Sequence, residues 1–305
     1  MKDHTAGNPQ KEEIIWTDLS CIEILDRMKE LGIVVGRRII RRLFRKHNYK
    51  KRKIIKRLAI GKTLNRNEQF ENISKLKQEY KDNGNPVVSC DTKKKELIGD
   101  LFRSGTVYSK TEIEAYDHDF PHLAKGTAIP YGIYDLDKNT AYINIGTSKD
   151  TGPFACDSIK KWWLEIGQYQ YLNATSILIL IDGGGSNSSR HYVFKEALQK
   201  LVDEIGIEIR IAHYPPYASK WNPIEHRLFP HITRAMQGAL LKSHLMVKEL
   251  LEKTKTKTGL KVIASIANEI YETGLKVTKG FKKNMKIIFD EYLGRWNYRA
   301  VPMKN

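Results

Sequence analysis

The chain has 305 residues, enough for about two domains, and 41% of them are hydrophobic, which suffices to bury a core and excludes wholesale disorder. It carries 52 lysines and arginines against 35 acids, a net charge of +17, and its three cysteines form no CxxC pair, which excludes a disulfide scaffold and a thiolate zinc finger. The longest apolar run, 177–181, is too short to span a bilayer, and the polar residues 1–13 contain no secretory signal. We therefore expect a soluble, basic, cytoplasmic protein with no membrane partner.

The positive charge is concentrated in one segment. Residues 37–66 contain 14 lysines and arginines and no acid, whereas the rest of the chain carries a net charge of only +3. Such a segment could bind a nucleic acid, because each phosphate that it neutralises releases condensed counterions. It could alternatively be a solvated tail whose charges only keep the chain soluble.

Two helices are predicted near the amino terminus. The first is capped by Thr17 or Asp18 and ends near Gly32, and the second begins at about Gly36, with apolar residues on one face and basic residues on the other. Two short helices joined by a turn that contains glycine are typical of a helix-turn-helix, although a basic amphipathic helix could instead bind an acidic membrane or a partner protein. Residues 50–66 are predicted to form a basic linker. The candidate DNA-binding residues of the second helix are Arg37, Arg38, Arg41, Arg42, Arg45 and Lys46.

From Pro86 onward, strand and helix patterns alternate. Residues 176–181 form a continuous apolar run that is typical of a strand buried on both faces, and the pair Lys138–Asn139 predicts the turn of an antiparallel hairpin. The predicted strands are 87–91, 131–137, 140–146, 176–181 and 208–213, and the predicted helices are 153–166, 192–205, one that begins at Asn222 and one from Ser243 to about Lys253. This order indicates an α/β fold with a ribonuclease H-like mixed sheet flanked by helices, preceded by the helix-turn-helix-like segment.

Three acids are candidate catalytic residues and metal ligands. Asp91 and Asp182 each stand at the carboxyl end of an apolar strand, where ligands bind in open α/β sheets. Glu225 lies in the first turn of a helix that Asn222 is predicted to cap, with Pro223 at its first position. If the three acids converge, they form an oxygen site of charge −3 that suits two Mg²⁺ or Mn²⁺ ions. Such a pair stabilises the attacking and leaving oxygens of a phosphoryl transfer.

Each acid also has a purely structural explanation. Asp182 begins a common turn signal, Glu225 could serve only the helix cap, and Asp91 could pair with the lysines that follow it. If those lysines are free, they could guide phosphates toward Asp91. They are Lys93, Lys94 and Lys95.

The surroundings of the second and third acids add two expectations. The glycines 183–185 leave room for a nucleic-acid backbone to approach Asp182. Pro230 should clash with the carbonyl of His226 and kink the helix one turn after Glu225.

Four strings of sequence resemble a known family. They are VSCDTKKKEL at 88–97, AIPYGIYDL at 128–136, DGGGSN at 182–187 and SKWNPIEHRLF at 219–229. In these strings, and over about residues 17–298 as a whole, the chain resembles the ISAzo-type bacterial insertion-sequence transposases, which are DDE enzymes with a ribonuclease H-like catalytic domain. The stretch 215–225 is also similar to the region of the third acid in mariner-type transposases.

The resemblance implies a transposase that uses Mg²⁺ or Mn²⁺ to cut and join DNA at the ends of its element. It places the first acid of the triad on Asp91, the second on Asp182 and the third on Glu225. The expected partner is double-stranded DNA, both element ends and target, bound by a homo-oligomer at the nucleoid in the cytoplasm.

We expect three regions in the chain. Residues 1–66 would be the helix-turn-helix-like DNA-binding region and basic linker, 67–240 the ribonuclease H-like catalytic domain, and 241–305 a carboxyl-terminal extension packed on that domain. In the extension, the sequence Thr-Gly-Leu-Lys-Val occurs at 258–262 and 273–277, and both copies are expected to be extended. Residues 296–298 are expected to dock on the body of the protein.

Two other functions remain open from the sequence. A catalytically decayed transposase relic would keep its basic helices and act only as a DNA-binding protein. A general nuclease with a ribonuclease H-like fold would cut DNA or RNA without needing particular end sequences.

Overall fold

The computed structural model describes residues 5–8, 11–52, 64–118, 120–184 and 191–303. Contacts between residues divide the chain into two units, Met1–Ala59 and Ile60–Asn305. Residues 53–63 of the predicted basic linker lie outside the described residues, and Arg66, at its end, begins a helix of the second unit.

The first unit contains a two-stranded antiparallel sheet and a pair of helices. Its elements are β1 (Thr5–Asn8), β2 (Lys11–Thr17), α1 (Cys21–Glu30) and α2 (Arg37–Lys46). Helix α1 is capped by Ser20, not by Thr17 or Asp18 as predicted. The Ser20 hydroxyl accepts the Glu23 N–H at 3.3 Å, and the Glu23 carboxylate accepts the Ser20 N–H at 2.6 Å. This reciprocal capping box satisfies two backbone donors at once.

A small apolar core holds α1 against α2. Leu19, Ile24 and Ile40 are buried in it. Ile39 and Leu43, which belong to the predicted apolar face of α2, remain 38% exposed, so that face is buried only in part. The candidate DNA-binding residues of α2 are all exposed: Arg37, Arg38, Arg41, Arg42, Arg45 and Lys46.

The second unit is built from a large sheet and its covering helices. Its strands are β3 (Val87–Thr92), β4 (Glu96–Ile98), β5 (Gly126–Asp135), β6 (Thr140–Gly146), β7 (Ser176–Ile181), β8 (Glu208–His213), β9 (Lys261–Ile266), β10 (Ile287–Phe289) and β11 (Asn297–Ala300). Its helices are α3 (Arg66–Asp82), α4 (Gly152–Trp162), α5 (Gln168–Gln170), α6 (Tyr192–Ile205), α7 (Ile224–Arg227), α8 (Phe229–Ala235), α9 (His244–Glu252) and α10 (Lys279–Asn284), with a π-helical turn, Trp163–Gly167, between α4 and α5. The strands and helices predicted between residues 87 and 253 are therefore all present.

The strand order places β3 at the centre of the sheet. Eight strands follow in the order β10-β11-β8-β7-β3-β5-β6-β9, and β4 pairs with β5 beside them. Strands β3, β7 and β8 run parallel, whereas β5 lies antiparallel between β3 and β6. An antiparallel meander of three strands, extended by two parallel strands next to its first, is the ribonuclease H-like arrangement. The predicted fold class is confirmed for this unit.

The pleat of the sheet sends alternate side chains to two layers of helices. On one face, Val88 and Cys90 of β3 contribute to a core with α4 and α6, in which Trp162 is buried as predicted. On the other face, Val87 of β3 and Leu180 of β7 contribute to a core with α3, and α7, α8 and α9 cover the adjoining strands. Odd-numbered residues of β3 and even-numbered residues of β7 therefore face α3 and α7.

The carboxyl-terminal residues complete the sheet. Strand β9 pairs with β6, and β11 pairs with β8, which confirms that 296–298 dock on the body. Of the two Thr-Gly-Leu-Lys-Val copies, 258–262 runs from a turn into β9, whereas 273–277 contains no strand. No helix in the described ranges is long and apolar enough to cross a membrane.

Candidate active site

Two of the three candidate acids leave neighbouring parallel strands at the same edge of the sheet. Asp91 is the penultimate residue of β3, and Asp182 directly follows β7, which pairs with β3 in parallel. Both residues are half-buried. Asp91 has the same parity as Val87, and Asp182 has the same parity as Leu180, so both side chains face the layer of α3 and α7.

Glu225 lies on α7, which is tied to β3 by side-chain hydrogen bonds. The buried Asn222 accepts a hydrogen bond from Ser89 Oγ and donates from Nδ2 to the Cys90 carbonyl at 3.3 Å. The Ile224 N–H donates to Ser89 Oγ at 3.0 Å, so a serine of the strand satisfies the first turn of the helix. The predicted capping box at Asn222 is therefore not formed, and Asn222 fixes α7 to the sheet instead.

A glycine on the next strand makes room for α7. Gly132 of β5 is the register partner of Asp91. A Cβ at this position would lie 2.9 Å from Ile224 Cδ1, 3.1 Å from Phe229 Cε1 and 3.3 Å from Leu228 Cδ2. Because Gly132 has no side chain, α7 and the residues after it can pack directly on β5 beside the first acid.

The three acids act on one another electrostatically. Burial and the charge of Asp182 raise the pKa of Asp91 to about 8. The charges of Glu225 and Asp150 add to this rise, whereas the Thr92 N–H, which donates to the carboxylate at 2.7 Å, opposes it. Burial and the charge of Asp182 also raise the pKa of Glu225, and a hydrogen bond with Asp91 opposes that rise. The negative charge of Asp182 therefore favours the protonated forms of both Asp91 and Glu225.

The donor chemistry of this site fits a hard divalent cation. All three candidates offer carboxylate oxygens, the ligands that Mg²⁺ and Mn²⁺ prefer, and a cation would relieve the repulsion that raises the pKa of Asp91. In the described part of the chain, no three His, Cys, Asp or Glu side chains are arranged to hold a metal ion.

Asp150 is a fourth acid near the site and escapes prediction from the sequence. It follows β6, which runs in the same direction as β3, and its Oδ1 accepts a hydrogen bond from Thr92 Oγ1 at 3.2 Å. Its charge contributes to the raised pKa of Asp91. The signal that points to Asp91 and Asp182, an acid after the carboxyl end of a strand, is present here too.

A buried histidine holds the backbone of Asp182. His213 ends β8, with its Nδ1 3.0 Å from the Asp182 carbonyl oxygen and its Nε2 3.1 Å from the Tyr298 hydroxyl. Burial lowers the pKa of His213 to about 4 despite the hydrogen bond to Asp182, and the charge of Lys195 adds to the effect. The ring is therefore neutral near pH 7 and donates to Asp182 from Nδ1 while it accepts the Tyr298 O–H at Nε2.

The lysines after Asp91 do not share one environment. Lys94 and Lys95 are exposed, as guidance of phosphates requires. Lys93 is only 7% exposed, and its ammonium pairs with Glu96, which Arg103 also contacts. The structure thus does not place the Lys93 charge where an incoming phosphate would reach it, because the buried Glu96 carboxylate already neutralises it.

The first two glycines after Asp182 lie on the surface beside its carboxylate. Gly183 and Gly184 are exposed, and the Gly184 N–H donates to Asp182 Oδ1 at 3.0 Å, whereas Gly185 lies outside the described residues.

The kink predicted from Pro230 is a full break at residue 228, which separates α7 from α8 and leaves Pro230 in the first turn of α8. The break comes after Glu225, which still reaches the first acid.

Comparison with known proteins identifies the family. The sequence profile described as the Rhodopirellula transposase DDE domain matches residues 1–302. The comparison with curated proteins gives no match. Among solved structures, the chain is similar to the Mos1 mariner paired-end complex with Mn (16% identity, TM-score 0.45), a pre-cleavage Mos1 transpososome (15%, 0.45) and the Mos1 strand transfer complex (14%, 0.43). Each alignment covers 81% of this chain and 72% of the Mos1 chain. Because the family profile covers nearly the whole sequence, this chain belongs to the ISAZ013 family of DDE transposases.

Proposed function

We propose that this chain is an active transposase that cuts DNA at the ends of its own element and joins those ends to a target. Asp91, Asp182 and Glu225 are the proposed catalytic residues. The observation that carries the proposal is their placement. Asp91 and Asp182 leave neighbouring parallel strands at one edge of the sheet, and the helix of Glu225 is tied to β3 through Ser89. The charge of Asp182 accordingly raises the pKa of both other acids. Three neighbouring carboxylates repel one another and do not favour folding, so their proximity supports a catalytic role.

The same three carboxylates would hold Mg²⁺ or Mn²⁺, with two ions in the working complex. When bound, such ions activate the attacking oxygen and stabilise the charge on both oxygens of an in-line phosphoryl displacement. The role of the protein in this step is to position the carboxylates that would bind these ions. Strands β3 and β7 fix the backbones of Asp91 and Asp182, His213 holds the Asp182 carbonyl, and α7 presents Glu225 to them.

The basic face of α2 supports binding to double-stranded DNA. Its exposed cations stand on a helix whose Ile40 is anchored in a small core, so the charges are carried by a folded element. We propose that α1 and α2 form the helix-turn-helix-like region that binds the element ends, and that Lys94 and Lys95 guide phosphates toward Asp91. Two ends must be held together for transposition, so the working form would be a homo-oligomer on DNA, acting at the nucleoid in the cytoplasm.

Cleavage of DNA that carries the element ends tests the catalytic assignment. We expect the wild-type chain to cut at those ends with Mg²⁺ or Mn²⁺ and not in a chelator, and Asp91→Ala, Asp182→Ala and Glu225→Ala to reduce cutting to background. Glu249→Ala, which removes an exposed acid of α9, is the matched control and should cut normally. Full activity of Asp182→Ala would overturn the assignment.

The same assay separates the two alternatives. A wild-type chain that binds end DNA in chelator but never cuts it would be a catalytically decayed relic, and one that cuts any DNA or RNA would be a general nuclease. The break after α7 does not favour decay, because Glu225 keeps its hydrogen bond with Asp91. Binding itself is tested by charge reversal of Arg41 and Arg42, since unchanged affinity at low and moderate salt would refute their contact with DNA.

A further inference from the structure

A basic cleft lies near the end of β3 opposite to Asp91. It has a volume of about 750 Å³, and residues of α3, of the turn after β5, of the loop after α5 and of α7 line it. Among the described residues of this lining the single acid is Asp137, which is already paired with Lys138 at 3.6 Å. The cations of the lining are Lys77, Lys81, Lys138 and Arg227.

Two of these cations repel each other across the cleft. Burial and the charge of Arg227 lower the pKa of Lys77. Within the described ranges of the chain, no carboxylate lies within 4.0 Å of the Lys77 ammonium or the Arg227 guanidinium. Elsewhere on this unit lysines do find acids, as Lys248 does with Glu252 at 3.3 Å. Positive charges from separate elements that face one cleft without a counter-charge are typical of a surface that binds an anion.

We propose that this cleft binds the phosphate backbone of a DNA duplex, as a contact surface separate from both α2 and the three acids. Lys77 and Arg227 would neutralise neighbouring phosphates, with Lys81 and Lys138 at the flanks. The identity of the polyanion as DNA rests on the proposed function. An extended ligand is favoured over a small one because Lys81, Lys138 and Arg227 are exposed along an open surface and enclose no chamber.

The cleft is within reach of DNA that occupies the active site. Arg227 is two residues after Glu225 on α7, and Val87, which lines the cleft, is four residues before Asp91 on β3. Four residues of a strand span about 13 Å at about 3.3 Å per residue. Nucleotides of one DNA strand rise by about 3.4 Å, so the cleft lies about four nucleotides from a phosphate at Asp91. A duplex in the active site is therefore long enough to extend over the distance that separates the two places.

The salt dependence of DNA binding by the full chain tests this proposal. Fluorescence anisotropy with an end-containing duplex, in chelator to prevent cleavage, compares wild type with the double variant Lys77→Ala/Arg227→Ala. The matched control is Lys255→Ala/Lys257→Ala, which removes two exposed lysines between α9 and β9. We expect the slope of log affinity against log salt to fall by about 2 in the cleft variant, because each lost phosphate contact removes about 0.9. The control should keep the wild-type slope.

Several outcomes would overturn the proposal. Equal slopes for the two double variants would do so once circular dichroism shows that both are folded, and so would failure of Lys77→Arg/Arg227→Lys to retain the wild-type slope. The cleft would instead be a small-anion site under two conditions. Inorganic phosphate or ATP would stabilise the wild type but not the cleft variant, and the salt slope of duplex binding would be the same in both. Since binding is measured without cleavage, loss of the catalytic assignment would leave this result intact, and a chain that cuts normally could still disprove the cleft.

Discussion

Replacing Ser89 with alanine isolates the link between the strand of the first acid and the helix of the third. Ser89 is fully buried, donates to Asn222 Oδ1 and accepts the Ile224 N–H at 3.0 Å. Ser89→Ala removes the partner of both groups, and neither is exposed to water. The Asn222 side chain keeps only its bond to the Cys90 carbonyl.

The expected cost follows from these two orphaned groups. A buried donor or acceptor without a partner costs about 1–3 kcal/mol, so the two groups together should lower the free energy of unfolding by about 2–6 kcal/mol. The larger effect should be on catalysis, because α7 would no longer be held where Glu225 meets Asp91. A displacement of about 1 Å at an active site costs about 100-fold in rate, and we expect that loss in single-turnover cleavage per folded molecule.

Ser158 provides a matched control on the opposite face of the sheet. It is also fully buried, donates to the Phe154 carbonyl at 2.7 Å and accepts a hydrogen bond from Asn144 Nδ2 at 2.9 Å. Ser158→Ala should lose a similar free energy of unfolding in urea titrations and keep nearly normal cleavage per folded molecule. If Ser89→Ala and Ser158→Ala lost cleavage to the same degree, the positioning role of Ser89 would be refuted.

Three further substitutions test other features of the second unit. Gly132→Ala adds a methyl group 2.9 Å from α7 and should cost about 1–3 kcal/mol and slow cleavage, whereas Gly126→Ala, whose methyl group meets its nearest neighbour at 3.5 Å, should do neither. Burial lowers the pKa of Lys195 from 10.5 to about 8 in the folded state. Between these two pH values the unfolded state binds more protons than the folded state, so the free energy of unfolding rises with pH. From pH 7 to 10, the wild type should gain up to about 3 kcal/mol relative to Lys195→Met in urea unfolding, and parallel pH curves would contradict the buried ammonium. Glu96→Ala leaves the buried ammonium of Lys93 without its acid and should cost about 3–5 kcal/mol in thermal unfolding; a cost below about 1 kcal/mol would show that the pair is not buried as described.

The elements of the second unit could be predicted because their signals are local. The strand 176–181 is one apolar run, the helix 192–205 has apolar residues at helical spacing, and the strand 208–213 follows at once; all three have the predicted bounds. Helix caps were harder because several polar residues compete for the same N–H groups. Ser20 has Glu23 three residues later and forms the reciprocal box, which neither Thr17 nor Asp18 can do.

The acids could be predicted but their environments could not. An acid after an apolar strand is visible in the sequence, whereas the burial of Lys93 against Glu96 depends on how the chain folds after β3. Asn222 shows the same limit. Its local sequence signals a cap, but Ser89, 133 residues away, supplies a partner that the folded sheet brings within reach. Contacts between distant segments decide such cases, and no local pattern encodes them.

Helix α7 supports two sites at once, and this has a testable consequence. Its four residues present Glu225 to the acids and Arg227 to the basic cleft, and its first N–H is tied to Ser89. If this tie sets the position of the whole helix, Ser89→Ala should weaken cleavage and also reduce the salt slope of DNA binding by up to about 1, one phosphate contact. The variant Glu225→Gln, which leaves the tie intact, should lose cleavage and keep the slope. A normal slope in Ser89→Ala with lost cleavage would mean that Arg227 is held by something other than α7's link to β3, and that the two sites are supported independently.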